Sequence, residues 1–261
     1  MPGFDGLNAD AELLFDAVRE AGSLAMTMLR QNVRRWSKTD GSPVTEADMQ
    51  VDALLRGRLQ TARPGYGWLS EETPDGVGRL TCEKLWIADP IDGTRAFING
   101  GSHWCVAVAL IAGGRPAAAA IYRPVSEEFY SAVAGGGAFM NGNRIMANTE
   151  HGLAGALVVG TRKSLEELAG HGIIADVSGE LPLQLRLAFV AAGRADAAVS
   201  FGCKNDWDLA AGDLIVQEAG GIAGDLDGQS YIYNRPPTWQ HGLIAAGAKR
   251  HAAIVQALRT P

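Results

Sequence analysis

The chain of 261 residues is long enough to bury a substantial core, either as one large domain or as two closely packed halves. Its 47% hydrophobic and 20% charged residues are typical of a globular protein. Its net charge of −6 argues against nucleic acid as the main partner, because neutralising a phosphate backbone requires a basic surface. A small phosphorylated metabolite fits this charge if a local positive group receives it.

The cysteines and the apolar runs indicate where the protein resides. Cys82, Cys105 and Cys203 are widely spaced and form no CxxC pair, so neither a zinc site nor a disulfide framework is predicted. We expect reduced, packed thiols. The N-terminal residues carry acids where a signal peptide has its basic region, and the longest apolar run, 104–112, is too short to cross a bilayer. We therefore expect a cytoplasmic protein without membrane contact.

The first half, residues 1–150, has the pattern of an α+β unit. Apolar residues at helical spacing predict a helix over 9–30, and Thr45 with Asp48 offers a capping box for a second helix. A glycine-rich stretch at 135–142 predicts a hairpin end rather than a phosphate loop, because no helical pattern follows it. Strands are predicted over residues 67–70, 85–88, 104–111, 117–122 and 128–132.

The composition changes near residues 145–155, which predicts a boundary with a second half, residues 151–261. Strand and helix patterns alternate there, as in an α/β layer. Because no low-complexity linker separates the halves, we expect them to share an interface. The predicted strands cover 157–159, 197–200 and 243–246, and the predicted helices cover 183–193, 208–219 and 249–258.

The stretch from Trp86 to Thr94 carries the strongest chemical pattern. An apolar strand ends in Asp89, Pro90 stops regular pairing, and Asp92 follows three positions after Asp89. The next glycine permits a tight turn, and Thr94 can begin a helix whose amides would receive a phosphate oxygen. Two carboxylates at a strand end suit a hard cation such as Mg²⁺.

Two further acids end apolar segments. Glu71 follows Trp68-Leu69, and Asp208 begins an apolar helix. Each has an ordinary alternative, a solvated turn for Glu71 and a helix-dipole partner for Asp208, and Asp213 within that helix is interpreted as structural. Clustered carboxylates repel one another unless cations neutralise them, so three such segments together predict bound metal.

Three motifs in this order and spacing resemble the inositol monophosphatase superfamily over roughly residues 10–250. They are SEE at 70–72, WIADPIDGT at 86–94 and DWDLAAGDLIVQEAGG at 206–221. The resemblance implies an α/β fold, a layered α-β-α-β-α sandwich that is commonly a homodimer. It also implies a magnesium-dependent, lithium-sensitive phosphatase.

The resemblance also implies the metal ligands. Glu71, Asp89 and the Ile91 carbonyl would hold one Mg²⁺, and Asp89, Asp92 and Asp208 would hold a second. Two or three ions are expected in each active site.

For catalysis, the resemblance implies that Thr94, paired with Asp48, orients the attacking water, with Glu71 as a further catalytic residue. The amides of Gly93 and Thr94 would receive the phosphate. The ions would lower the pKa of the water, so no covalent protein nucleophile is expected.

Three stretches, 38–48, 92–98 and 201–212, resemble the bacterial 3′(2′),5′-bisphosphate nucleotidase branch. Lys38, Arg95 and Lys204 are therefore candidate contacts for a second phosphate. Two positions depart from family patterns. Ser200 stands where inositol phosphatases have a carboxylate for sugar hydroxyls, and Ala96 replaces an acid usual in the nucleotidases.

The leading hypothesis is therefore hydrolysis of 3′-phosphoadenosine 5′-phosphate to AMP and phosphate. The alternative is a phosphatase for inositol-1-phosphate or histidinol phosphate. A protein that kept the fold but only binds ligands is the remote alternative.

Overall fold

The computed structural model describes residues 2–31, 33–39, 41–150, 152–153, 155–170, 176–178 and 181–259. Asp40, which belongs to the nucleotidase-like stretch, lies outside the described residues. Two β-sheets and the helices that pack on them form the described fold, with a small hairpin beside them. That hairpin pairs β1 (Arg35–Ser37) with β2 (Pro43–Thr45).

Among the described residues, the larger sheet has seven strands in sequential order. The pairing is antiparallel except between its first two strands, which are parallel. The strands are β3 (Gly67–Ser70), β4 (Lys84–Asp92), β5 (Cys105–Ala112), β6 (Arg115–Arg123), β7 (Glu128–Val133), β8 (Gly137–Met140) and β9 (Asn143–Arg144).

Both faces of this sheet are buried, which explains why β5 is an unbroken apolar run. Val106, Val108 and Leu110 pack toward α1 (Pro2–Leu29) and α2 (Glu46–Ala62). The intervening Ala107, Ala109 and Ile111 pack on the opposite face, because side chains alternate along a strand. There they meet α5 (Leu183–Ala191) and α6 (Asp206–Glu218).

The smaller sheet lies beyond α5 and α6 and has the strand order β11-β10-β12-β14-β13. Its outer face is covered by α4 (Arg162–Gly170) and α7 (Ala248–Arg259). The layers thus follow the predicted order α-β-α-β-α. The strands are β10 (Leu157–Gly160), β11 (Asp176–Ser178), β12 (Ala197–Asn205), β13 (Gly221–Gly224) and β14 (Trp239–Gly247). The described strands of the two sheets lie on opposite sides of the predicted boundary, and the division into two halves stays a prediction.

Regular pairing stops after Asp89, as predicted from Pro90, and β4 resumes at Asp92 after a bulge, with Asp89 opposite Ala107 and Asp92 opposite Cys105. One prediction for the cysteines was wrong. Cys203 is exposed rather than packed, because it lies where the register of β12 shifts. No described helix is long and apolar enough to cross a membrane.

Candidate active site

The predicted metal ligands line one cavity of about 540 Å³ beside the end of β4. Asp89, which is buried, lines this cavity, and so does Thr94, the first residue of the short helix α3 (Thr94–Ile98). Side chains separated by up to 137 positions are brought together by the packing of α6 against the larger sheet. The predicted site residues that line the cavity are Glu71, Asp89, Ile91, Asp92, Gly93, Thr94, Arg95 and Asp208.

The turn after Asp92 requires glycine. Gly93 has φ +99°, and a Cβ at this position would lie 2.6 Å from the carbonyl oxygen of His103. Any side chain would therefore combine a left-handed backbone with a steric clash. This turn sets the direction of α3 and places Thr94 at the cavity wall.

Thr94 and Asp48 are paired as the resemblance implies. The Thr94 hydroxyl lies 3.2 Å from Asp48 Oδ1 and 3.1 Å from the Ile91 carbonyl oxygen. The other oxygen of Asp48 accepts hydrogen bonds from the backbone amide and the hydroxyl of Thr45, as in a capping box. Burial raises the pKa of Asp48, while the bonds from Thr45 and Thr94 act to lower it.

Glu71 is positioned by a buried hydrogen-bond bridge between the end of β3 and α2. The hydroxyls of Ser70 and Thr73, which flank Glu71 and Glu72, donate to the two oxygens of Asp52. Lys38 Nζ then donates to Glu71 Oε1 and to Glu72 Oε1, both at 2.7 Å. Burial raises the pKa of Glu72 to about 7, against the effect of Lys38.

Asp92 and Asp208 are joined through Gln184, a residue that the sequence interpretation missed. The Gln184 amide donates to Asp92 Oδ2 at 2.7 Å, and its side chain bonds to the Trp207 carbonyl and to the Gly212 amide of α6. The Asn205 amide donates to Asp208 Oδ2 at 2.8 Å. Gln184 is fully buried, so it fixes the two carboxylates relative to each other.

The carboxylates of the cavity oppose one another's ionisation. Burial raises the pKa of Asp92 to about 7 and that of Asp208 to about 6, even though each accepts a backbone hydrogen bond. Burial, followed by the charges of Glu71, Asp92 and Asp208, raises the pKa of Asp89 well above its usual value. A multivalent cation would remove this repulsion.

The residues fit such a cation. Asp89 Oδ1 is buried without a hydrogen-bond partner among the described residues, which is costly for a carboxylate unless a cation meets it. As they stand, no three acidic, histidine or cysteine side chains of the described chain are arranged closely enough to hold a metal ion. The Lys38 ammonium already occupies Glu71 Oε1 at 2.7 Å, so a metal ion at this oxygen would have to displace it.

The three predicted phosphate contacts differ in placement. Arg95 is exposed and lines the cavity. Lys38 bonds to the two glutamates, and Lys204 Nζ donates to the carbonyls of Phe201 and Cys203, outside the cavity lining. A buried arginine that the sequence interpretation missed, Arg186, also lines the cavity.

Comparison with known proteins identifies the family. The model of the inositol monophosphatase family matches residues 8–260. This chain belongs to the inositol monophosphatase family. Membership agrees with the motifs at 70–72, 86–94 and 206–221, and it makes the chain a phosphatase of phosphate monoesters.

Relatives and solved structures of this family match nearly the whole chain. An inositol-1-monophosphatase of Mesorhizobium japonicum is 35% identical over 88% of each chain. A histidinol-phosphatase of Chlorobaculum parvum is 32% identical over 97% of each chain. The crystal structure of the extragenic suppressor protein SuhB of Bartonella henselae has a TM-score of 0.85 at 27% identity, covering 95% of this chain and 98% of its own.

Proposed function

We propose that the chain hydrolyses 3′-phosphoadenosine 5′-phosphate to AMP and inorganic phosphate in a magnesium-dependent reaction. The observation that carries this proposal is one cavity lined by four carboxylates from three separate segments and by Thr94, whose hydroxyl is paired with Asp48 behind the cavity lining. Arg95 at the cavity rim supplies positive charge for a second phosphate.

Mg²⁺ would be held by Glu71, Asp89, the Ile91 carbonyl, Asp92 and Asp208, with two or three ions in a site. When bound, the ions supply charge neutralisation for the phosphate and acidify the attacking water. Lys38 would give up Glu71, and Asp89 Oδ1 would gain the partner that it lacks.

The chain's own residues position the water and the phosphate. Thr94 donates a hydrogen bond to Asp48 Oδ1, which leaves the lone pairs of Thr94 Oγ1 to accept a hydrogen bond from the attacking water. As the water attacks, its proton passes to Thr94 Oγ1 while the Thr94 proton passes to Asp48. The water oxygen forms a bond to phosphorus as the bond to the ester oxygen breaks, and the departing alkoxide takes a proton from solvent and leaves as the alcohol. The amides of Gly93 and Thr94 would face the phosphate.

The substrate assignment is tested by phosphate release from three compounds. 3′-Phosphoadenosine 5′-phosphate, inositol-1-phosphate and histidinol phosphate are compared by kcat/KM, first with Mg²⁺ and then with EDTA. We expect the nucleotide to be preferred by at least tenfold and EDTA to abolish all turnover. Preference for either other compound would refute the nucleotide assignment.

Inositol-1-phosphate is the second candidate, because a relative that is 35% identical carries the name inositol-1-monophosphatase. Ser200 counts against it, since this residue is buried and lies outside the cavity lining. A substrate hydroxyl would therefore lack a carboxylate partner there.

Homodimer formation and lithium inhibition are further parts of the proposal that rest on the family resemblance. Light scattering should give twice the chain mass, and a monomer would refute the dimer. Lithium chloride should lower activity relative to sodium chloride at equal ionic strength, and equal rates in the two salts would refute lithium inhibition.

A further inference from the structure

A second cavity opens beside the active site, between the β1–β2 hairpin and α3. We call it the hairpin groove; its volume is about 510 Å³. It shares Pro43, Arg95 and Asn99 with the lining of the active-site cavity, so the two spaces adjoin. Arg35, Trp36 and Ile98 also line the hairpin groove.

Trp36 is placed unusually for its residue type. Tryptophan is among the most buried residues on average, yet Trp36 is 46% exposed. It lies on β1, opposite the buried Val44 of β2, and lines the groove. An exposed indole in a cavity wall offers a flat apolar face on which an aromatic ring of a ligand can stack.

The charges of the two cavities are opposite. Four acidic residues line the active-site cavity, whereas the described lining of the hairpin groove contains two arginines and no acid. Arg35 and Arg95 are exposed, and neither guanidinium group makes a hydrogen bond or ion pair with another described residue. Their guanidinium groups are therefore available to an anion, and guanidinium binds phosphate through paired N–H donors.

We infer that the hairpin groove binds the leaving group of the substrate, with a nucleobase stacked on Trp36 and a second phosphate at Arg35 and Arg95. The inference rests on the proposed function and deepens it, since it assigns the substrate class to nucleotides that carry two separate phosphate groups. One phosphate enters the acidic cavity with its metal ions, and the other stays at the basic groove. A compact ester such as inositol-1-phosphate has no group for the groove.

Equilibrium binding tests the groove without turnover. AMP and ribose 5-phosphate are titrated calorimetrically into the whole protein in EDTA, where the acidic cavity repels phosphate. AMP carries the base and ribose 5-phosphate lacks it. We expect wild-type protein to bind AMP at least tenfold more tightly, W36A to remove this difference, and W36F to keep it within threefold. R95Q should weaken the binding of both AMP and ribose 5-phosphate at least fivefold.

The matched control is M146A, which removes another exposed apolar side chain; Met146 is 67% exposed and lines neither cavity. M146A should bind both ligands as wild type does. Equal binding of AMP by W36A and wild type would overturn the inference, as would equal binding of the two ligands by wild type. A changed oligomeric mass of W36A would assign Trp36 to a subunit contact and also overturn it.

The inference and the proposed function fail in different ways. If wild-type protein with Mg²⁺ releases no phosphate from any monoester, the proposed function is wrong whatever AMP binding shows. If the nucleotide is hydrolysed but W36A and R95Q bind AMP as wild type does, only the groove assignment is wrong.

Discussion

The Thr94 hydroxyl lies between two acceptors, 3.2 Å from Asp48 Oδ1 and 3.1 Å from the Ile91 carbonyl oxygen. It has one proton to donate, so its lone pairs remain for a water molecule. The substitution T94A should therefore lower kcat by about 100-fold or more with KM changed less than threefold, since a positioned proton acceptor contributes about 10²–10⁴-fold. Steady-state kinetics with saturating Mg²⁺ measure this.

T94S is the control for the hydroxyl, because serine keeps Oγ and loses only the methyl group. We expect T94S to retain kcat within about tenfold of wild type. Equal loss in T94A and T94S would show that the methyl contact, not the hydroxyl, matters at this position.

The side chain of Gln184 stabilises the helix that carries Asp208. The substitution Q184A should lower the free energy of unfolding by about 1–3 kcal/mol, because it removes the side-chain hydrogen bonds to the Trp207 carbonyl and the Gly212 amide of α6. Urea denaturation measures this loss. Q50A is the control: the exposed Gln50 side chain bonds to Glu46 alone among the described residues, so Q50A should lower the free energy of unfolding by less than about 0.5 kcal/mol.

Gly212 allows α6 to pack closely on α5. A Cβ at position 212 would lie 2.4 Å from Leu187 Cβ, so G212A should force the helices apart and lower the free energy of unfolding by about 1–3 kcal/mol. G57A is the matched control, because Gly57 is also helical but has open space at its Cβ position. G57A should stabilise the protein by about 0.5–1 kcal/mol. If both changes shift the thermal midpoint equally, the helix contact does not explain Gly212.

The metal-free protein should lose stability as pH rises. Burial raises the pKa of Asp92 to about 7 and that of Asp208 to about 6, above the values of an unfolded chain. Protonation therefore favours the folded state; this contribution is complete below about pH 4 and is lost as pH rises through 6 and 7. Urea denaturation in EDTA between pH 5 and 8 should show the decline, and D92N should reduce it. If the free energy of unfolding did not change with pH and D92N did not alter this result, the buried carboxylates would not be the origin of the pH dependence.

Added Mg²⁺ should reverse the trend, because the ion binds the ionised carboxylates. The stabilisation by Mg²⁺ should therefore increase between pH 6 and 8. An Mg²⁺ effect independent of pH would show that the ion binds elsewhere.

The sequence was sufficient to predict the elements whose signal is local. The capping residues Thr45 and Asp48 predicted the start of α2, and the strand of Gly67–Ser70 was predicted with its observed bounds. The helix from Arg162, β13 and β1 were missed. β1 has three exposed residues and no alternation, while β13 contains two glycines, so neither carries a strand pattern.

The remainder of the site depends on contacts between distant segments. Gln184 lies 92 positions from Asp92, and only the packing of α5 against the larger sheet brings them together. Its signal was a polar residue in an apolar run, Leu183-Gln184-Leu185-Arg186-Leu187, which is also the pattern of a half-exposed strand. Likewise, the direction of Lys38 toward Glu71 and Glu72 depends on tertiary contacts that no motif encodes.

The central claim is that Asp89, Asp92 and Asp208 build a divalent-cation site that carries out phosphate ester hydrolysis. A magnesium titration of phosphate release by wild type and D208N tests this claim most directly. We predict that wild type is inactive in EDTA and activated by Mg²⁺, and that D208N loses at least 100-fold in kcat/KM and requires more Mg²⁺ for half-maximal rate. The result that would contradict the account is full turnover by D208N with the wild-type dependence on Mg²⁺.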